Sequence, residues 1–271
     1  MLMKSHLKHL VDGTDGNVNQ KISIAREYLQ ARILQSFQED GVFARWAFQG
    51  GTALRFLFSI PRFSEDLDFA SIRAGEDAGF ERALRRTQSA FREEGYDTVV
   101  KSKSEKTVAS AFIGFEGLLY ELGLSPQRAK IFSVKVEVDT NPPAGATLET
   151  TLVRRHVTLN LHHYDRASLL SGKLHALLSR PWCKGRDLYD LAWYLADRTW
   201  PEPNLAVLNS ALNQTGWKGP ELAAGSWRTA VLEKLDGVDW AAARSDVLPY
   251  LERPREADLI RPEHFVRLFQ Q

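Results

Sequence analysis

The chain is 271 residues long, 44% hydrophobic and 25% charged, and its 35 Lys and Arg against 34 Asp and Glu leave a formal net charge of +1. At roughly 150 residues per domain this is one large or two modest domains with ample core. A disulfide-stapled miniprotein is excluded, because Cys183 is the single cysteine, and its lack of a partner points to a reducing, cytoplasmic compartment. No uncharged apolar run approaches the ~20 residues of a membrane helix, and the opening residues lack a signal peptide's basic start and apolar stretch. The balanced charge removes a global argument for nucleic-acid binding and leaves only local basic patches, such as Arg82, Arg85 and Arg86 or Arg154 and Arg155.

In chain order, Ile22, Ala25, Leu29, Ile33 and Phe37 recur every three or four residues, which predicts an amphipathic helix over 20–37. Trp46 to Gln49 reads as a short buried strand. Gly50-Gly51 then breaks it, and Thr52 is placed to cap a helix carrying Leu54, Phe56, Leu57 and Phe58. Pro61 stops that helix, and Leu67 and Phe69 alternate with Asp66 and Asp68, a strand with one apolar and one acidic face. A helix is expected from about Asp77 to Gly95, then a hairpin of strands near 97–103 and 107–115.

The cleanest strand is Ile131 to Asp139, where Val134, Val136 and Val138 alternate with Lys135, Glu137 and Asp139. Asn141-Pro142-Pro143 closes it, and 156–162 gives one more strand. From Arg166 onward every signal is helical. The pattern predicts an α+β protein, with a mixed sheet and its helices over 1–165 and an all-helical domain over 166–271.

The segments that carry chemistry are Gly50 to Arg55 and Arg62 to Phe69. A glycine pair lets backbone approach a phosphate, and the helix that follows points its free N–H groups at the same anion. Asp66 and Asp68, two apart on a strand, project from one face and can share hard divalent cations such as Mg²⁺ or Mn²⁺. Either feature alone is ordinary: a Gly-Gly pair is most often a turn, and an Asp-x-Asp a solvated face. In this order, with a later acidic strand at Glu137 and Asp139, they supply the anion seat and carboxylate cluster of a two-metal phosphoryl-transfer site.

Gly50-Gly51-Thr52-Ala53-Leu54-Arg55, Arg62 to Phe69, Lys135-Val136-Glu137, and Lys173 with Gly185-Arg186-Asp187-Leu188-Tyr189-Asp190-Leu191 together resemble, over residues 47–196, the AbiEii family of nucleotidyltransferase toxins. That family belongs to the DNA polymerase β-like nucleotidyltransferases. The resemblance implies a nucleotidyltransferase-like mixed sheet flanked by helices, with the glycine motif opening one helix. It makes Asp66 and Asp68 the metal pair, with Glu137 or Asp139 as third carboxylate. It makes Gly50, Gly51 and Thr52 the triphosphate contacts, Ser64 a modifiable serine near the site, and Lys173 and Asp187 essential residues of the helical half, with Arg186 in a similar role. The superfamily's usual serine after the first glycine is here Gly51, which leaves Thr52 as the only hydroxyl in the turn.

The implied activity is Mg²⁺- or Mn²⁺-dependent transfer of a nucleoside monophosphate from an NTP to an RNA acceptor such as the tRNA 3′ end, blocking translation. An antitoxin partner follows from the same resemblance. Two other readings stay open: nucleotidylation or phosphorylation of a protein hydroxyl, and a non-catalytic nucleotide-binding protein. The histidines form no zinc-site pattern, and nothing around Cys183 makes it a nucleophile.

Overall fold

A computed structural model describes residues 2–73, 79–103 and 107–270. The chain divides into two compact units. The first contains residues 1–59, 63–141 and 150–163 and is built on a mixed seven-stranded sheet. The second contains residues 164–271 together with Ile60–Arg62 and Pro142–Glu149. The division is therefore no single cut in the sequence.

In the first unit, α1 (Leu2–Asp12) precedes α2 (Val18–Glu39). Asn17 starts α2 with a capping box: its side chain accepts from the Gln20 N–H while the Gln20 side chain accepts from the Asn17 N–H, both at 3.0 Å. Strand β1 (Trp46–Gln49) runs into α3 (Gly50–Phe58), followed by β2 (Asp66–Ser71), α4 (Phe80–Glu93), β3 (Thr98–Lys103) and β4 (Val108–Phe115). The short α5 (Leu118–Glu121) leads to β5 (Phe132–Asp139), and β6 (Leu148–Arg155) and β7 (Val157–Tyr164) complete the sheet.

The strand order is β3-β4-β5-β2-β1-β7-β6. β3, β4 and β5 are antiparallel neighbours, β2 runs parallel to β5 and antiparallel to β1, and β7 is parallel to β1. β5 alternates strictly, with Phe132, Val134, Val136 and Val138 buried and the residues between them half-exposed. Around β1 and β2, Phe37, Trp46, Phe48 and Phe69 pack with ring centroids 5.2 to 5.8 Å apart. Each such ring contributes about 1.5–3 kcal/mol by burial, which fixes β2 with its acidic face turned away from the core.

The second unit is helical: α6 (Arg166–Ser179), α7 (Gly185–Ala196), α8 (Leu205–Gln214), α9 (Trp227–Leu235), α10 (Trp240–Val247) and α11 (Pro262–Gln270). Gly185 opens α7 where that helix meets α10. A Cβ there would come within 2.8 Å of the Ala243 carbonyl carbon and 3.2 Å of the Val247 nitrogen, so only glycine permits the approach.

The expected elements are present; the short α5 is an addition to them, and three further differences follow. α1 has no counterpart in the periodicity reading, since only Leu7 and Val11 of its described side chains are deeply buried. β6 was hidden because Val153 is its sole buried residue, so no alternation marks it. The helix expected from Asp77 is described from Phe80; residues 77 and 78 lie outside the described residues. No described helix is long and apolar enough to cross a membrane.

Candidate active site

The turn between β1 and α3 is built for close approach. Gly50 has φ +77°, and a Cβ built on it would lie 2.9 Å from both Cβ and Cγ of Asp68. Any side chain at position 50 would therefore be strained and would displace that carboxylate. Gln49, at the N-cap, makes no side-chain bond to α3, so the first N–H groups of Gly50 and Gly51 keep the anion-seeking character of a helix N-terminus. Thr52 does not cap the helix. It lies inside α3, fully buried, and its hydroxyl donates to the Asp66 carbonyl, tying the helix to β2.

Beside the turn stands the acidic face of β2. Leu67 and Phe69 are buried while Asp66 and Asp68 are half-exposed on the opposite face. In the parallel pairing with β5, Asp66 stands opposite Lys135 and Asp68 opposite Glu137, on strands about 4.8 Å apart. The Lys135 Nζ meets Glu137 Oε2 at 2.8 Å. Burial by itself would lower the Lys135 pKa, but the Glu137 bond and the charges of Glu137, Asp66 and Asp68 raise it above its ordinary value. A lysine thus sits among three carboxylates.

Asp139 lies one pleat further along, opposite Ala70, where its Oδ1 accepts from the Asn141 N–H at 2.9 Å. Burial raises its pKa, partly offset by that bond. The register brings Glu137, rather than Asp139, beside Asp68. The donor set of Asp66, Asp68 and Glu137 is that of a hard divalent cation, and the missing side chain at Gly50 keeps the space against Asp68 open. Asp66 and Asp68 offer the oxygen donors that such an ion takes. Among the described residues no group of three His, Cys, Asp or Glu side chains is already drawn together as an ion site, and Glu137 is bonded to Lys135 instead.

Lys173 and Asp187 belong to the helical unit, in a buried ion network. The Lys173 Nζ lies 2.8 Å from Asp190 Oδ2 and 3.4 Å from Asp187 Oδ1. Arg62 grips Asp190 through two bonds of 2.5 Å, and Arg180 pairs with Asp187. Burial would raise the Asp190 carboxyl, but Arg62 and Lys173 hold it below its ordinary range. Burial would likewise depress Lys173, yet Asp190 and Asp187 push its pKa up, so it stays protonated. Lys173 is no solvated helix residue, and Asp187 is no exposed partner of Arg186, whose guanidinium lies over the Tyr250 ring at 4.4 Å.

Sequence reasoning quoted Arg62 and Asp190 but gave them no role. The signal was available: Asp187, Asp190, Leu191 and Tyr194 form the i, i+3, i+4, i+7 stripe that α7 buries. A carboxylate in a buried stripe requires a buried cation. Lys135, quoted within the Lys135-Val136-Glu137 motif, has its place among the carboxylates set by the β2–β5 register.

Ser64 is half-exposed in the segment before β2, and its carbonyl accepts from Gln30 Nε2 at 3.1 Å. The candidate basic patches are partly spent on ion pairs. Arg82 and Arg86 face Asp40 at 3.4 and 3.2 Å, and Arg155 faces Glu27 at 3.0 Å. His163 and His175 bond the hydroxyls of Thr151 and Thr215 at 2.9 and 3.0 Å, in keeping with structural roles.

A glycine turn opening a helix against a two-aspartate strand of a mixed sheet is the arrangement of a nucleotidyltransferase. The model of the family described as nucleotidyl transferase AbiEii toxin, type IV toxin–antitoxin system, matches residues 32–263, and the chain belongs to that family. It is a nucleotidyltransferase, and the family pairs such a toxin with an antitoxin. Among solved structures it is similar to MenT4, a nucleotidyltransferase toxin from Mycobacterium tuberculosis, with 16% identity, 98% of each chain covered and a TM-score of 0.55. It is also similar to JHP933 from Helicobacter pylori, at 16% identity, 92% of each chain covered and a TM-score of 0.51. These likenesses concern the fold. No curated protein matches the chain.

Proposed function

We propose that the chain transfers a nucleoside monophosphate from an NTP to an RNA hydroxyl, the tRNA 3′ end being the leading acceptor, with Mg²⁺ or Mn²⁺ bound at Asp66 and Asp68. The observation that carries the reading is that the Asp68 side chain fills the space a Gly50 Cβ would take, so that the helix-opening glycine turn and the two aspartates of β2 lie side by side. The family description names a type IV toxin and no acceptor; RNA is the acceptor that the motif resemblance implies.

In this reading the N–H groups of Gly50 and Gly51 hold the departing end of the triphosphate, and Asp66, Asp68 and Glu137 are the residues that would hold divalent cations. Such cations supply activation of the attacking hydroxyl and neutralisation of the charge that develops on the leaving oxygen. A bond forms between the acceptor oxygen and the α-phosphorus. The bond to the bridging oxygen breaks, and pyrophosphate leaves with its electron pair. Lys173 and Asp187 are kept as residues required for turnover, on the strength of the family motif. Arg186 and Ser64 are kept as nucleotide contacts on the same ground.

Incubation with each labelled NTP, Mg²⁺ and total RNA is expected to label RNA in a reaction lost in Asp66→Ala. Label on protein alone, or equal label with Asp66→Ala, overturns the proposal.

A further inference from the structure

Resting on that reading, the structure assigns an acceptor subsite on the open face of β3 and β4, a stacking platform centred on Phe112 for the 3′-terminal nucleobase of the RNA. The pairing register sets four residues in one transverse row on one face of the sheet: Lys101 of β3, Phe112 of β4, Lys135 of β5 and Asp66 of β2. The next row is Lys103, Ser110, Glu137 and Asp68. Residues of the other face, Ala109, Ala111, Ile113 and Phe115, are buried, whereas Phe112 is 49% exposed and Lys101 and Lys103 are exposed. An aromatic ring left open on a strand, flanked in register by a lysine on each side, suits a planar base attached to a phosphate chain.

Its place along the sheet decides between the two substrates. The Gly50 turn follows β1, which borders β2 on one side; β5 and β4 lie on the other. Transfer at phosphorus sets the attacking and leaving oxygens in line on opposite sides of the moving group. With pyrophosphate held at Gly50 and the acids of β2 between, the attacking hydroxyl arrives from the β5 and β4 side. Phe112, two strands or about 10 Å from Asp66, lies on that side. Ile131 and Val99 close over Gly114, where a Cβ would meet them at 2.8 and 2.9 Å, and extend the apolar floor next to the ring. Lys101 and Lys103 then border the path of the preceding phosphates.

The test uses a short single-stranded RNA ending in 2-aminopurine, whose fluorescence falls when the base stacks, with no metal or turnover required. The full-length wild type is expected to quench it. Phe112→Ala and Phe112→Leu are expected to abolish the quench and weaken RNA binding about tenfold, and Phe112→Trp to retain both. Lys101→Ala is expected to weaken binding and to flatten its salt dependence by about one phosphate's worth. In a parallel arm, 2-aminopurine riboside triphosphate is expected to bind wild type and Phe112→Ala alike. Unchanged quenching in both Phe112→Ala and Phe112→Leu, or a loss confined to the triphosphate arm, overturns the assignment. Failure of the transfer reading would show separately, as absent labelling of RNA by a protein that still quenches.

Discussion

Gly50 is held to its identity by two separate constraints, a positive φ and the Asp68 side chain where its own would go. Gly50→Ala is therefore expected to cost about 1–2 kcal/mol of stability through backbone strain and to lose transfer activity out of proportion, because the carboxylate is pushed aside. Urea unfolding beside steady-state kinetics checks this; a variant destabilised as expected with wild-type turnover contradicts it. In the helical unit, Asp190→Ala removes the buried carboxylate that Arg62 and Lys173 share and is expected to cost about 3–5 kcal/mol. Lys173→Met leaves Asp190 with its two Arg62 bonds and should destabilise less while abolishing transfer. Equal activity of Lys173→Met and wild type would confine Lys173 to a structural part.

That Asp66 and Asp68 share one face of β2, and Glu137 and Asp139 one face of β5, was legible in the sequence because alternation along a strand sets the face of each side chain. The choice between Glu137 and Asp139 was not, because both share that face and only the register with β2 separates them.

At the scale of elements, α3 is fastened at both ends. Thr52 bonds the carbonyl of Asp66 near its start, and Arg55 near its end pairs with Glu27 of α2 at 2.5 Å. Arg155, at the end of β6, and His156 join the same carboxylate at 3.0 and 2.9 Å. Burial would raise the Glu27 pKa, yet the His156 bond and the two arginines bring it down to about 2. A carboxylate whose folded pKa lies below its unfolded value stabilises fully above the unfolded pKa, and that stabilisation is lost as pH falls through the folded one. Glu27→Gln should accordingly be less stable than wild type near pH 7 by on the order of 3 kcal/mol. The difference should shrink between about pH 4.5 and pH 2. A constant difference across that range, in urea unfolding at several pH values, contradicts the assignment.

The same elements show where periodicity succeeds. β5, buried on one face only, announces itself; β6, nearly bare on both faces, does not. Thr52 looked like a cap because it follows a glycine pair, but Gly50 starts the helix and carries the hydroxyl two positions inside it.

For the whole molecule, composition and pattern gave the order of an α+β half and a helical half. What they could not give is that Ile60–Arg62 and Pro142–Glu149 belong with the helices, since such contacts leave no periodic trace. A domain boundary near 165 remains a proposal, and a fragment cut there tests whether the helices fold without the segments Ile60–Arg62 and Pro142–Glu149. A fragment of residues 166–271 lacks Arg62 and leaves Asp190, fully buried, with Lys173 alone. It is expected to lack a cooperative urea transition, and a sharp two-state transition in the fragment would contradict this.

The site itself is tested most directly by manganese. Electron paramagnetic resonance of Mn²⁺ titrated into the full-length protein is expected to report binding at saturable sites in the wild type and its loss in the double variant Asp66→Asn, Asp68→Asn, whose circular dichroism should stay native. Equal Mn²⁺ binding by the two proteins would contradict the assignment of β2 as the cation-holding strand beside the glycine turn.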